Sequence, residues 1–185
     1  MSETAELHHL ISERWSPRDF ADRPVEPGTL RSVFEAARWA ASCFNEQPWR
    51  FVVAEKSNPA EFERILHTLV PFNQGWAKTA AVLAISVGKK TFTHNGVTDR
   101  FGLHDAGQAL ANLMIQATAV GLYVHAMGGF DAEKARAEFG IPEDFEIGAA
   151  IAIGYLAEGV TPGERTRKPL SEQVFGIEWG KPHFE

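Results

Sequence analysis

Ala40-Ala41-Ser42-Cys43-Phe44-Asn45-Glu46-Gln47-Pro48-Trp49 reads as the end of a helix, an amide-rich turn and the start of a strand. Upstream, Leu30, Val33, Phe34, Ala37, Ala40 and Ala41 recur at helical spacing behind the breaker pair Pro27-Gly28, so a helix is expected from Thr29 to near Ser42. Downstream, residues 49–54 have the β-branched and aromatic content of a buried strand. Residues 80–87 share it, and the two are expected as neighbouring central strands. The turn itself has two readings. Side-chain amides donate and accept, which matches the edge of a heterocycle, but Asn and Gln also bond readily to local backbone and simply close a helix.

Further out, residues 5–13 carry Leu7, Leu10 and Ile11 at the spacing of a short amphipathic helix, which Pro17 should terminate in an irregular stretch. A helix is expected over residues 59–69, with Phe62, Ile65, Leu66 and Leu69 on one side. The longest should lie over residues 104–120, where small residues interrupt an apolar stripe, with Gly121 as its C-terminal cap. Strands are expected over residues 122–127 and 147–155, and Asp131 should cap a helix running to about Phe139. Strands separated by helices point to three layers around one sheet. The tail from Gly159 is loop-rich and has no evident core of its own, as in tails that grip a second subunit.

The chain has 185 residues, 44% apolar and 23% charged, with no repeat or linker, so one domain over residues 1–185 is expected. Lys plus Arg number 18 against 24 for Asp plus Glu; the net charge of −6 without a basic block argues against nucleic acid as a partner. Cys43 is the only cysteine, which excludes an internal disulfide framework and favours a reducing compartment. The longest apolar run falls far short of a membrane span, and the N-terminus lacks the pattern of a secretion signal, so the cytoplasm is the expected location.

Four constellations have chemical interest, each with an ordinary alternative. Arg14-Trp15-Ser16-Pro17-Arg18-Asp19-Phe20 sets two guanidinium forks and a hydroxyl on a non-helical segment, which suits a phosphate or else solvated charge. Residues 42–49 offer the amides already described. Met127-Gly128-Gly129-Phe130-Asp131 allows close backbone approach to a flat ligand, or is a plain turn. Arg165-Thr166-Arg167-Lys168-Pro169 adds cations to an otherwise non-basic tail, as a phosphate clamp or an exposed loop. No GxxxxGK[ST], GxSxG or HExxH motif occurs, and the seven histidines show no metal-ligand spacing. His104-Asp105 reads as a base and its orienter or as a helix start, and Cys43 as a small packing residue in preference to a nucleophile, since no His adjoins it in sequence.

In order along the chain these segments resemble the nitroreductase family, which opens with R-R-S-x-R-x-F and then a helix ending A-P-S-x-x-N-x-Q-P-W. Here the first is residues 14–20 and the second residues 40–49, followed by Asn73, Gly121-Leu122, Gly128-Gly129-Phe130-Asp131, Gly140-Ile141-Pro142, Ile153-Gly154-Tyr155 and residues 165–169. Trp15 replaces the second arginine, Ala41 the proline, and Cys43-Phe44 the small hydroxyl residues. The stretch from Lys89 to Gly102 also leaves little room for large inserted helices.

The resemblance implies an α+β fold: a three-layer α/β/α sandwich with a mixed, mostly antiparallel central sheet, in a homodimer that exchanges its C-terminal tails. It implies FMN at the subunit interface and NAD(P)H as reductant. Arg14, Trp15, Ser16 and Arg18 would hold the phosphate and ribityl end with Arg165 and Arg167. Ser42, Cys43 and Asn45 would approach from the other subunit, and Asn73, Gly128 and Gly129 would address the polar edge of the ring. Hydride would pass from NAD(P)H through the flavin to a small acceptor such as a nitroaromatic or quinone, in two alternating half-reactions. Flavin N5 would carry the hydride, so no side chain is assigned as catalytic and no metal is needed; Arg18 would have an electrostatic role at the reduced ring. Dehalogenation, oxidation of a small metabolite, flavin fragmentation, and flavin binding or storage without turnover are the competing readings.

Overall fold

The computed structural model describes residues 6–184. Four strands, β1 (Trp49–Glu55), β2 (Val82–Lys89), β3 (Tyr123–Met127) and β4 (Phe145–Gly154), form one sheet in the order β1-β2-β4-β3. All three pairings are antiparallel, so the mixed sheet expected from the resemblance has no parallel pair among the described strands. β2 and β4 are the central pair because both faces of each are apolar: Leu83, Ile85, Ala150 and Ala152 point to one side, Val82, Ala84, Ile151 and Ile153 to the other. An irregularity lies between Ile85 and Val87, where Ser86 Oγ accepts from the Ala149 N–H at 3.0 Å and donates to the Ala149 carbonyl at 3.1 Å. A hydroxyl thus supplies the bonds that the ladder loses at a bulge.

Helices cover both faces. On one side α2 (Pro27–Arg38) and α5 (Gly102–Ala119) bury Leu30, Val33, Ala37, Ala109, Leu113 and Ala117 against the sheet. On the other, α3 (Pro59–Leu66), α4 (Pro71–Ala77) and α6 (Ala132–Phe139) bury Phe62, Ile65, Leu66, Ala77 and Ala135. Full burial of a side chain such as Leu113 contributes roughly 1.5–3 kcal/mol. The three layers expected from sequence are present. Asp131 caps α6 by accepting from the Lys134 N–H at 2.9 Å, and Gly140 ends it at φ 61°, a left-handed conformation that glycine adopts without strain.

Several boundaries differ from the sequence reading. Pro27 does not break α2; it is its first residue, where the missing N–H costs nothing. α3 ends at Leu66 rather than Leu69, and the chain starts a separate helix, α4, which the spacing did not foretell. β1 neighbours β2 as expected but is an edge strand, exposed at Arg50, Val53 and Glu55, rather than a central one. The first helix, α1, is confined to His9–Glu13, with Leu7 and Ile11 60% and 55% exposed; Ala5, where it was expected to begin, lies outside the described residues. The chain after β4 forms two isolated bridges, Leu156 with Phe20 and Phe175 with Pro182, and exposes Ile177 and Trp179 fully or nearly so. No described helix is long and apolar enough to cross a membrane.

Candidate functional site

The segment after α1 is extended at Arg14 and runs across β3 and α4. Three contacts seat it: Trp15 meets Tyr123 edge-on at 5.9 Å, the Pro17 carbonyl faces His125, and Arg18 lies over the Phe72 ring at 5.3 Å. Pro17 is buried while Ser16 and Arg18 stay exposed, so the polar groups project from an anchored backbone. Arg14 Nη1 donates to Ser16 Oγ at 3.2 Å.

The C-terminal tail returns to this segment. Arg165 donates to the Arg14 carbonyl at 2.6 Å and also to the Ser12 carbonyl. Burial, then the charges of Arg165 and Arg167, push the Arg14 guanidinium below its ordinary value. Among the described residues, none of Arg14, Arg18, Arg165 or Arg167 has a carboxylate within 4 Å. Like charges crowded without a counter-charge raise the energy of the folded chain and make the spot receptive to an anion.

A second group lies at the end of β3. Asn73, on α4 and 9% exposed, donates from Nδ2 to the Gly129 carbonyl at 2.9 Å and accepts at Oδ1 from the Trp76 indole N–H at 3.2 Å. A Cβ at Gly129 would stand 2.6 Å from Asn73 Nδ2, so this position admits no side chain without displacing the amide. Gly128 is exposed and turns the chain, its carbonyl accepting from the Phe130 N–H at 3.1 Å. The His125 ring stacks on Trp76 with centroids 4.5 Å apart and donates from Nδ1 to the Pro17 carbonyl at 2.8 Å. Burial, aided by the charges of Arg18 and Arg14, holds the imidazole below its ordinary value despite that bond, so the neutral form is favoured.

The third group, residues 42–47, stands apart. Phe44, Asn45 and Gln47 have φ of 51°, 57° and 51°, a left-handed conformation costly for side chains larger than glycine. Buried and half-buried acceptors hold the turn: the Cys43 N–H donates to Asp105 at 2.8 Å and the Gln47 N–H to Ser42 Oγ at 3.0 Å. The Thr93 N–H donates to the Glu46 carboxylate at 2.9 Å. Burial works against ionisation of Glu46, but its bonds from Thr93 and the nearby Lys89 outweigh that and lower its pKa. The turn leads into β1, whereas the arginine and Asn73 groups surround β3. These are opposite edges of the sheet, three strand spacings or roughly 14 Å apart.

One chain therefore brings together Arg14, Trp15, Ser16, Arg18, Arg165 and Arg167, and joins Asn73 to Gly129 beside Gly128; it does not bring Ser42, Cys43 or Asn45 to them. A cleft of about 360 Å³ between residues 21–25 and 55–57 is a separate feature, in which Lys56 pairs with Asp22 at 3.0 Å and Arg23 lies over Tyr155 at 3.8 Å.

Residues 11–155 match the model of the nitroreductase family. The chain belongs to the nitroreductase family. Membership places it among oxidoreductases. This nitroreductase-family protein is 30% identical to an NADH dehydrogenase of Thermus thermophilus over 88% of its own length and 91% of the relative's. An uncharacterised 15.4 kDa protein of Mycolicibacterium smegmatis is 37% identical over 94 residues; that match covers 46% of the chain and 63% of the relative. Among solved structures, an oxidoreductase containing FMN superposes with a TM-score of 0.88 at 33% identity, covering 97% of this chain and 95% of the other.

Trp76 and His125 are the site residues that the sequence reading missed. A strand-face alternation was available as a signal: Val124 packs on the α5 side of the sheet, so Tyr123 and His125 face the α4 side, where a histidine among apolar neighbours needs a polar reason.

Proposed function

We propose that this protein is an FMN-dependent oxidoreductase, working as a homodimer of a single flavin-binding unit over residues 1–185. It takes hydride from NAD(P)H and passes it to a small electron acceptor such as a nitroaromatic or quinone. The observation that carries the reading is the convergence of Arg14 with Arg165 and Arg167, from the two ends of the chain, into a cationic cluster with no carboxylate partner among the described residues.

The residues fit FMN. A phosphate would complete the arginine cluster and meet the Ser16 hydroxyl, in charge-assisted bonds of the stronger kind. Asn73 keeps one unused N–H and one unused lone pair, and Gly129 keeps the backbone beside it bare, as the polar edge of a flat heterocycle requires. When bound, FMN supplies a ring that accepts hydride from a nicotinamide and gives it up to the acceptor. The chain's own part is to bind and orient. Arg14, Arg165, Arg167 and Ser16 hold the anionic end, Asn73 and the Gly128-Gly129 backbone fix the ring edge, and Arg18 contributes positive charge.

Ser42, Cys43 and Asn45 take part from the second subunit in this reading. Their distance from the arginine cluster within one chain supports it, as do the exposed apolar residues Leu7, Ile11, Leu103, Ile177 and Trp179, which a partner would cover. The test is the visible spectrum of the purified protein, followed by anaerobic mixing with NADH or NADPH. Yellow protein that bleaches rapidly is the expected result. Colourless protein that takes up no added FMN refutes the proposal, and slow or absent bleaching of yellow protein favours flavin storage.

A further inference from the structure

The phosphate-binding and ring-edge halves of the proposed site belong to different elements, and two residues outside both halves connect them. The Pro17 carbonyl lies within the cationic segment and accepts from His125 on β3 at 2.8 Å. His125 stacks on Trp76 of α4, with ring planes 34° apart. The Trp76 N–H donates to Asn73 at 3.2 Å, and Asn73 donates to the Gly129 carbonyl at 2.9 Å. The path runs from the arginine segment to the glycine turn without a gap.

Each polar link has one permitted direction. An indole N–H only donates and a carbonyl only accepts, so the Asn73 amide has a single satisfied orientation. Turned over, it would set an N–H against the indole N–H and its oxygen against the Gly129 carbonyl. The Trp76 N–H and the Gly129 carbonyl together hold Nδ2 on the Gly129 side and Oδ1 on the Trp76 side, and so fix where the one unused N–H and the one unused lone pair of Asn73 point. At the other end, the His125 bond ties the main chain between Ser16 and Arg18 to β3, although the two residues are 108 positions apart.

We infer that Trp76 and His125 are positioning residues of the cofactor site: Trp76 orients the Asn73 amide, and His125 fixes the arginine segment relative to it. The inference rests on the FMN reading, in which both ends grip one molecule and their separation has to match its length.

The experiment measures FMN dissociation constants by flavin fluorescence on protein stripped of flavin and reconstituted. Trp76→Phe keeps an aromatic ring in the stack but removes the indole N–H together with part of the ring surface on His125. It should weaken FMN binding about tenfold, and in an Asn73→Ala background it should weaken binding no further, because the amide it orients is gone. His125→Ala should weaken binding about fivefold, whereas His125→Asn, whose amide can still donate to Pro17, should restore most of it. Purely structural roles predict additive losses in the first comparison and equal losses for the two His125 variants; either result overturns the inference. So does Trp76→Phe protein that binds FMN as the wild type does. If Trp76→Phe fails to fold, the His125 pair decides alone. Wild-type protein that takes up no FMN refutes the cofactor reading itself, a result distinct from wild type and variants that bind equally.

Discussion

Arg165 donates to the backbone carbonyl of Arg14 at 2.6 Å, joining residues 151 positions apart. The bond uses main-chain oxygen as the acceptor, so it spends none of the Arg14 side chain, whose guanidinium turns to Ser16 instead. A tail with little core of its own is thereby tied to the segment that follows α1, and cations that would otherwise repel one another are held side by side.

Replacing Arg14 and Arg167 together by alanine should strip FMN during purification. Charge-assisted hydrogen bonds contribute roughly 1.5–3 kcal/mol each, so losing two amounts to at least a hundredfold in affinity. The ratio of flavin absorbance to protein absorbance after gel filtration reads this directly, and full stoichiometry in the double variant would remove both residues from the phosphate site.

Acid should weaken the folded chain through His125. Its folded pKa lies below the ordinary 6.5, because of burial first and the arginine charges after it. As pH falls from about 6.5 toward the folded value, the unfolded chain binds a proton that the folded chain refuses, so stability present above the window is lost within it. Glu46 has the same sign, its lowered pKa giving stability that is lost only as pH falls below the ordinary 4.5, so the two windows begin in different places. The thermal midpoint of flavin-free protein should fall between about pH 7 and pH 5.5, and His125→Asn should flatten that part of the curve. A variant with an unchanged slope would assign the proton to another group.

Gly129→Ala tests the bare backbone at the ring edge. The added methyl would stand 2.6 Å from Asn73 Nδ2 and 3.1 Å from a Val70 methyl. Relieving such overlap costs about 1–3 kcal/mol, and here it acts on the amide that the proposed site uses. Both the melting temperature and FMN affinity should drop, whereas Gly128→Ala, which has nothing within 4 Å, should leave the melting temperature nearly unchanged.

What the sequence disclosed depended on how local the cause was. β2 and β4 were legible because residues 82–85 and 150–153 are all buried and apolar, leaving no other place for them. α4 was not: Pro71-Phe72-Asn73-Gln74-Gly75-Trp76-Ala77 holds a proline, a glycine and only seven residues, too few for a periodic stripe. β1 has the composition of a central strand, but strand order is set by pairing partners far along the chain, and composition does not encode an edge. The arginines and Asn73 came from motif order. Trp76 and His125 remained hidden because their roles arise from contacts made across three elements, none adjacent in sequence.

Subunit complementation tests the separation between the turn at residues 42–47 and the arginine cluster. One subunit type carries Arg14→Ala and Arg167→Ala, the other Asn45→Ala, each on its own expected to lose flavin. If a site draws the arginines from one chain and Asn45 from the other, a mixed dimer contains one doubly damaged site and one with no substitution at all. Co-expression with two affinity tags should then yield heterodimers with about half the wild-type flavin content, by simple counting of intact sites. Sites built within single chains would leave every site damaged and the heterodimer colourless. The two outcomes differ because β1 and β3 are opposite edges of one sheet, so a site within one chain and a site shared between two chains draw Asn45 from different subunits.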